Sequence, residues 1–381
     1  MATKNDPGAL PAGKNIKGGN GDDIFNGGES DDEINGGAGR DQLFGGGGAD
    51  ILTAIGGGSA DKLYGEAGGD QFWLDEISTE YCDADLAERM FGAVHRVGAF
   101  ANGVTRELDG QNLRDPGAYD IGEPMMLGDE FDPKWKSFAD RPLFGPRGPQ
   151  SSDVRQGRLR DGHLLDVFAG LAKHDPHRIR TSIADLGDGT FAVKLLDNDG
   201  APRYYRVDSD LPVHPDGSPY YAGLGHGGAM WVAIMEKAFA IHRGTGGTYR
   251  SMNGTHVSEA FAAFGMKADA SLSIGENAWT AIEWFQAQLK QGRVITVQVG
   301  GAPVAKGAIL NHQLYVVERV NVGTAMIRHG DRLTPRVMPL TVTLRNPWGT
   351  DGAGNDGSDD GLVTLNFDHL NFNPMFAQAW V

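Results

Sequence analysis

The apolar positions of this chain follow one period near its start and others beyond it. From Gly18 to Trp73 an apolar side chain returns every ninth residue: Phe25, Ile34, Leu43 and Leu52, then, after two inserted residues (Ala54 and Ile55), Leu63 and Phe72. Two residues before each stands an aspartate, namely Asp23, Asp32, Asp41, Asp50, Asp61 and Asp70, and glycine-rich steps open every unit. Six copies in one phase define an internal repeat rather than a low-complexity linker. Their glycines allow tight turns with positive φ.

Beyond the repeats the spacing becomes helical. Leu86, Met90, Val94 and Val97 form one stripe and predict a helix within Asp83–Leu108. The stretch that follows, to about Trp135, is rich in Gly, Pro and Asp and reads as a linker. Leu164, Leu165, Phe168 and Leu171 then predict a helix with Asp161 as its N-cap, and two more helices are expected over Met230–His242 and Ala278–Gln291. The segments FAVKLL and YYRVDS, on either side of Asp197–Gly200, predict a hairpin. The last third alternates as strands in VITVQV, LYVVERV, VTLRN and LVTLN. Helices followed by strands predict an α+β domain, with length enough to fold alone and without metal.

Charge sharpens the reading of the repeats. The 381-residue chain carries a net charge of −16, which argues against a nucleic-acid partner. Between Gly18 and Glu76 there are 13 acidic side chains against two basic ones, Arg40 and Lys62, a local net charge of −11. Such density repels itself unless cations sit within it. The single cysteine, Cys82, excludes a disulfide framework and a multi-cysteine metal site. No apolar run reaches 18 residues, so no membrane-spanning helix is expected. Residues 1–17 lack the apolar core of a cleaved signal peptide.

The nonapeptides, read as GGxGxDxUx with U apolar, resemble the RTX (haemolysin-type) calcium-binding repeat. The resemblance implies a parallel β-roll in which two nonapeptides make one turn. Asp23, Asp32, Asp41, Asp50, Asp61 and Asp70 would be Ca²⁺ ligands, each ion lying between copies n and n+2. It also implies folding where calcium is millimolar: outside the cell, reached without a cleaved signal, the cytoplasm being the alternative.

From about Phe138 to Val381 the chain resembles calpain-type cysteine proteases. The markers are Pro142–Phe144 (PLF), Ser152–Gly157 (SDVRQG), Met230–Ala240 (MWVAIMEKAFA) and Leu344–Gly349 (LRNPWG). The resemblance implies a papain-like, two-lobed core with a cleft between the lobes. The chemistry of such enzymes needs a thiolate at a helix N-terminus, an imidazole beside it and an asparagine orienting the imidazole. Matched residue by residue, Gln156 stands at the oxyanion position and Asn346 at the asparagine, with Trp348 expected to shield it. Gly162 stands where the nucleophilic cysteine belongs. Gln313 takes the histidine position in an ungapped match, with His312 one residue earlier and therefore on the other face of a strand.

Two functions follow. One is a pseudoprotease that binds a peptide or protein. The other is an active calcium-dependent cysteine endopeptidase. The expected division is a leader over 1–17, a β-roll over 18–76, a helix and linker over 77–136, a helical lobe over 137–254 and a β-rich lobe over 255–381.

Overall fold

The computed structural model describes residues 13–56, 60–77, 79–102, 134–243, 248–274, 278–299, 314–329, 332–350, 360–366 and 375–381. Nine short strands come first: β1 (Asn15–Lys17), β2 (Ile24–Gly28), β3 (Glu33–Asn35), β4 (Gln42–Gly48), β5 (Ile51–Ala54), β6 (Lys62–Gly68), β7 (Gln71–Asp75), β8 (Tyr81–Cys82) and β9 (Val94–Val97). They alternate between two parallel sheets, ordered β1-β3-β5-β7-β9 and β2-β4-β6-β8. Each copy therefore pairs with the copy after next, Glu33 opposite Ile51 and Ile24 opposite Gln42. The insertion of Ala54 and Ile55 lengthens the next turn, so Ile51 pairs with Gln71. Between the sheets lie Ile34, Leu43, Leu52, Leu63 and Phe72, all buried. Burying each side chain of this size contributes roughly 1.5–3 kcal/mol. Gly46 shows why glycine recurs: its φ is +104°, and a Cβ there would lie 2.0 Å from the Gly28 carbonyl oxygen of the turn below.

The helix expected over Asp83–Leu108 is reduced to α1 (Leu86–Met90), capped by Asp85. Gly92, at φ +74°, ends the turn, and Val94–Val97 joins the roll as β9. Leu86 and Met90 are exposed, so the stripe lines no core.

The rest is a mixed α/β domain. β10 (Lys134–Ser137) leads to α2 (Gly162–His174), α3 (Pro176–Arg180), β11 (Ile183–Asp185), β12 (Thr190–Leu196), β13 (Pro202–Asp208), β14 (Asp210–Val213), α4 (Trp231–Arg243) and α5 (Val257–Ala262). The expected hairpin is β12–β13, Thr190 opposite Asp208. There follow β15 (Ala268–Ile274), α6 (Ala278–Leu289), β16 (Val294–Val299), β17 (Leu314–His329), β18 (Arg332–Arg345), β19 (Leu362–Asn366) and β20 (Met375–Trp380). These six strands form one antiparallel sheet, ordered β15-β20-β16-β17-β18-β19. Helix α6 covers it through Ala281, Ile282 and Phe285.

The roll is not a detached module. Ile51, Ile55, Trp73, Val97 and Phe100 belong to the same hydrophobic core as Phe168 of α2 and Trp231 of α4. Trp73 is fully buried, its ring 4.1 Å from His95 and 5.9 Å from Tyr204 between centroids. Asn35 donates to the Asp185 carbonyl at 2.8 Å, Arg180 donates to the Ala49 carbonyl at 2.8 Å, and Lys17 pairs with Asp185 at 2.7 Å. The expectation that residues 137–381 fold alone and independently of calcium changes accordingly: without the roll, this apolar surface faces water.

Candidate functional site

Gly162 opens α2, a 13-residue helix whose free N–H groups and dipole point out of its first turn. Its first turn lines a pocket of about 230 Å³ together with Gln156, Arg160, His163, Gly254, Thr255 and Trp348. Two clamps hold the Gln156 loop there. Gln156 N–H donates to the Pro347 carbonyl at 2.9 Å, tying the loop to the turn that carries Asn346 and Trp348. On the other side Arg158 N–H donates to Tyr220 O at 3.1 Å and Gly223 N–H to Arg155 O at 2.8 Å. Gly349 is needed for the first clamp: its φ is +71°, and a Cβ there would press to 3.1 Å from Val154 O.

The sequence-matched residues are thus brought together in part. The Gln156 side chain donates to Leu159 O at 2.7 Å, and its Oε1 is buried with no partner among the described residues. Asn346 is buried; its amide donates to Thr350 O at 3.1 Å and accepts from Trp348 N–H at 3.2 Å. Trp348 is about half exposed and lines the pocket. His312 and Gln313 lie outside the described residues. Cys82 is buried among Leu63, Phe72 and Leu74 in the roll's interior.

Several buried acidic residues whose roles the motifs did not give support this site. Asp153, within the SDVRQG marker, is buried and accepts from the indole N–H of Trp231, from His226 N–H and from Gln150 N–H, at 2.8, 2.8 and 2.9 Å. It locks the loop before Gln156 onto the start of α4. Asp161, expected as the N-cap of α2, stands at that position but makes no side-chain capping bond. It is buried, as are Asp166 on α2 and Glu236 on α4. Burial pushes the Asp161 carboxyl up to about 7, the facing Glu236 carboxyl offsetting part of the rise. Burial and the neighbouring Asp161 push Asp166 and Glu236 well above the carboxylate range. Asp161 and Glu236 can face each other only by sharing a proton. Their sequence signal was weak, because an acidic residue in a helix normally faces solvent.

The roll provides the second candidate site. Its aspartates form two ladders. Asp23 N–H donates to Asp41 Oδ1, Asp41 N–H to Asp61 Oδ1, Asp32 N–H to Asp50 Oδ1 and Asp50 N–H to Asp70 Oδ1, all at 2.7–2.9 Å. The other oxygen, Oδ2, of Asp32, Asp41, Asp50, Asp61 and Asp70 is buried without a partner among the described residues. Each of four of these oxygens hangs over the first glycine of its own copy. A Cβ on Gly27, Gly36, Gly45 or Gly65 would lie 2.3–2.4 Å from it. Burial raises Asp50 to about 6 and Asp61 and Asp70 to about 7. Orphaned hard oxygens, stacked and held open by glycine, fit Ca²⁺. The ion would neutralise the ladder and pin successive turns to one another.

Comparison with known proteins agrees with both halves. Residues 132–360 match the model of the calpain family of cysteine proteases. Residues 17–52 and 53–76 match the RTX calcium-binding nonapeptide repeat. The calpain match covers more than half of the chain, which therefore belongs to the calpain family, with calcium-binding RTX repeats at its N-terminal side. Among curated proteins it resembles the calpain-1 catalytic subunits of Bos taurus (27% identity over 243 residues, 60% of this chain and 32% of that protein), Homo sapiens (26% over 244 residues, 60% and 32%) and Sus scrofa (26% over 266 residues, 65% and 35%). The chain spans about a third of the length of these relatives. Among the described residues no helix is long and apolar enough to cross a membrane.

Proposed function

We propose that this chain is a pseudoprotease of the calpain family: its cleft binds a peptide or protein segment without cutting it, on a scaffold that includes a calcium-loaded roll. One observation carries this reading. The first residue of α2, at the mouth of the pocket, is Gly162, and the chain's only thiol, Cys82, is enclosed in the roll. A glycine there supplies no nucleophile, yet it leaves the helix N-terminus open to a carbonyl or carboxylate oxygen of a bound chain. Arg160, His163 and Trp348 line the same pocket and supply charge, a hydrogen-bonding ring and a stacking surface.

In this reading the core has papain-like lobes over 137–254 and 255–381, and the cleft runs between them. We extend the roll from 18–76 to Val97, since β8 and β9 continue its sheets. The protein works outside the cell, where calcium is abundant.

The family match, with Gln156 and Asn346 retained, favours the second reading, an active calcium-dependent cysteine endopeptidase. Casein digestion by three proteins separates the two. Wild type with calcium is expected to release no fragments. Gly162→Cys alone should do little, because its thiol lacks an imidazole and stays mostly protonated near a pKa of roughly 8.5. Gly162→Cys combined with Gln313→His should begin to cleave. Cleavage by wild type that iodoacetamide abolishes would establish the endopeptidase instead.

A further inference from the structure

The roll does not stop where its sequence pattern does. Strand β8 adds in parallel to β6, Lys62 opposite Tyr81 and Leu63 opposite Cys82. Tyr81 N–H donates to Asp61 O at 3.0 Å, just as Gln42 donates to Asp23 O at 2.9 Å, Lys62 to Asp41 O at 2.9 Å and Gln71 to Asp50 O at 2.8 Å. In this register Cys82 takes the apolar position of a seventh copy, and Glu80 takes the position that aspartate holds in the other six. The segment Asp75–Asp83 contains no glycine, so the copy is invisible to the pattern.

The two ladders end differently. One runs through Asp32, Asp50 and Asp70. Lys14 meets its first rung: its N–H donates to Asp32 Oδ1 at 2.6 Å and its ammonium donates to Gly27 O. Glu88 closes its last rung, accepting from Asp70 N–H at 2.9 Å through Oε1 and from Asp85 N–H at 2.7 Å through Oε2. At both ends the chain itself continues the backbone-to-carboxylate bonding, while Oδ2 of Asp32 and Asp70 stays without a partner among the described residues. The other ladder runs through Asp23, Asp41 and Asp61 to Glu80. Glu80 is only 5% exposed, and neither of its carboxylate oxygens makes a fully formed hydrogen bond among the described residues, although the Asp75 backbone N–H faces it. Asp61, the rung beneath it, is fully buried with Oδ2 likewise orphaned. Arg96 lies near, but its guanidinium reaches the backbone carbonyl of Glu80, at 3.5 Å. Asp75 stands where the other copies have glycine and accepts from Gly56 N–H at 3.2 Å, adding negative charge beside the rung.

We propose that Glu80 and Asp61 hold a further Ca²⁺, at a seventh rung that the repeat consensus does not mark. Among the described residues no three acidic, imidazole or thiol side chains converge on one point. The ion therefore rests on two carboxylates, as at each regular rung, with backbone and water oxygens completing its shell. It would tie β8 and the chain leading to β9 to the body of the roll, next to the strand that carries Trp73 into the shared core.

Calcium stoichiometry of the full-length chain tests this, measured by equilibrium dialysis on wild type, Glu80→Gln, Glu80→Asp and Glu88→Gln. Glu80→Gln is expected to bind one ion fewer per chain. Glu80→Asp and Glu88→Gln should bind the wild-type number. Thermal melts give a second readout. In millimolar calcium Glu80→Gln should melt below wild type; in EDTA, where the roll's β-structure is lost, the two should melt alike. Unchanged stoichiometry in a Glu80→Gln protein with wild-type far-UV circular dichroism would overturn the proposal. So would a melting shift of the same sign in EDTA and in calcium, which would make Glu80 merely a buried neutral acid.

Discussion

Both halves of this protein bury carboxyl groups that the chain does not pair with a basic residue, and they neutralise them differently. In the roll, aspartates recur in phase with the repeat, and Asp32, Asp41, Asp50, Asp61 and Asp70 each have one oxygen anchored by a backbone N–H and the other left over. In the core, Asp161 faces Glu236 once, with Asp166 buried farther along α2, with no repeat and no glycine cradle. The first arrangement offers stacked hard oxygens and suits a divalent cation; the second offers oxygens to one another and suits protons. A buried carboxylate is thus not in itself a metal site. In the regular copies of the roll, backbone donors and open glycine positions mark that difference.

The largest effect expected is that of calcium removal. With four regular sites between copies n and n+2, each contributing roughly 2–3 kcal/mol when calcium exceeds its Kd about a hundredfold, EDTA should abolish the roll's β-structure. Because Trp73 and Val97 sit in the core, calorimetry should also show the whole chain melting at least 10 °C lower, on the order of several kcal/mol of lost stability. An unshifted core transition would separate the two regions and break the comparison.

Trp73→Ala is expected to be next in size. It removes the largest roll side chain in the shared core, and such truncations cost about 3–5 kcal/mol. Urea unfolding followed by Trp fluorescence and by far-UV circular dichroism should lose stability on both probes together. Loss confined to one probe would mean that the regions are adjacent but not coupled.

Asp166→Asn sharpens the proton side. The folded-state pKa of Asp166 is raised by burial and by Asp161. The folded protein therefore holds its proton more tightly than the unfolded chain does, and stability is full below the unfolded pKa near 4 and falls as pH rises. The substitution should matter little at pH 5 and stabilise by roughly 1–3 kcal/mol at pH 8. Equal melting curves for variant and wild type at pH 8 would show that the cluster carries no such penalty.

Much of this was legible in the residues. The ninefold apolar period marked the repeats, because every unit obeys the same local rule, and the resemblance to RTX repeats implied that copies pair with the copy after next. The helices over Leu164–Leu171 and Met230–His242 appeared where their apolar residues fall, and both are buried on every side over most of their length. What failed was the stripe from Leu86 to Val97. Its spacing fits a helix, but Gly92 ends the turn and pairing with β7 captures Val94–Val97. The seventh rung escaped for a related reason: register, not consensus, puts Glu80 on the ladder. At the pocket, Gln156 and Asn346 could be read from motifs. The supporting carboxyls could not, because their meaning depends on α2 and α4 lying side by side.

The functional account rests on Gly162, and one measurement addresses it most directly. Full-length protein, loaded with calcium and incubated with a mixture of unstructured peptides, should return every peptide at its original mass by mass spectrometry, whether the chain carries Cys82 or Cys82→Ala. New fragments from the wild type that disappear with Cys82→Ala would contradict the account and make this chain a working protease.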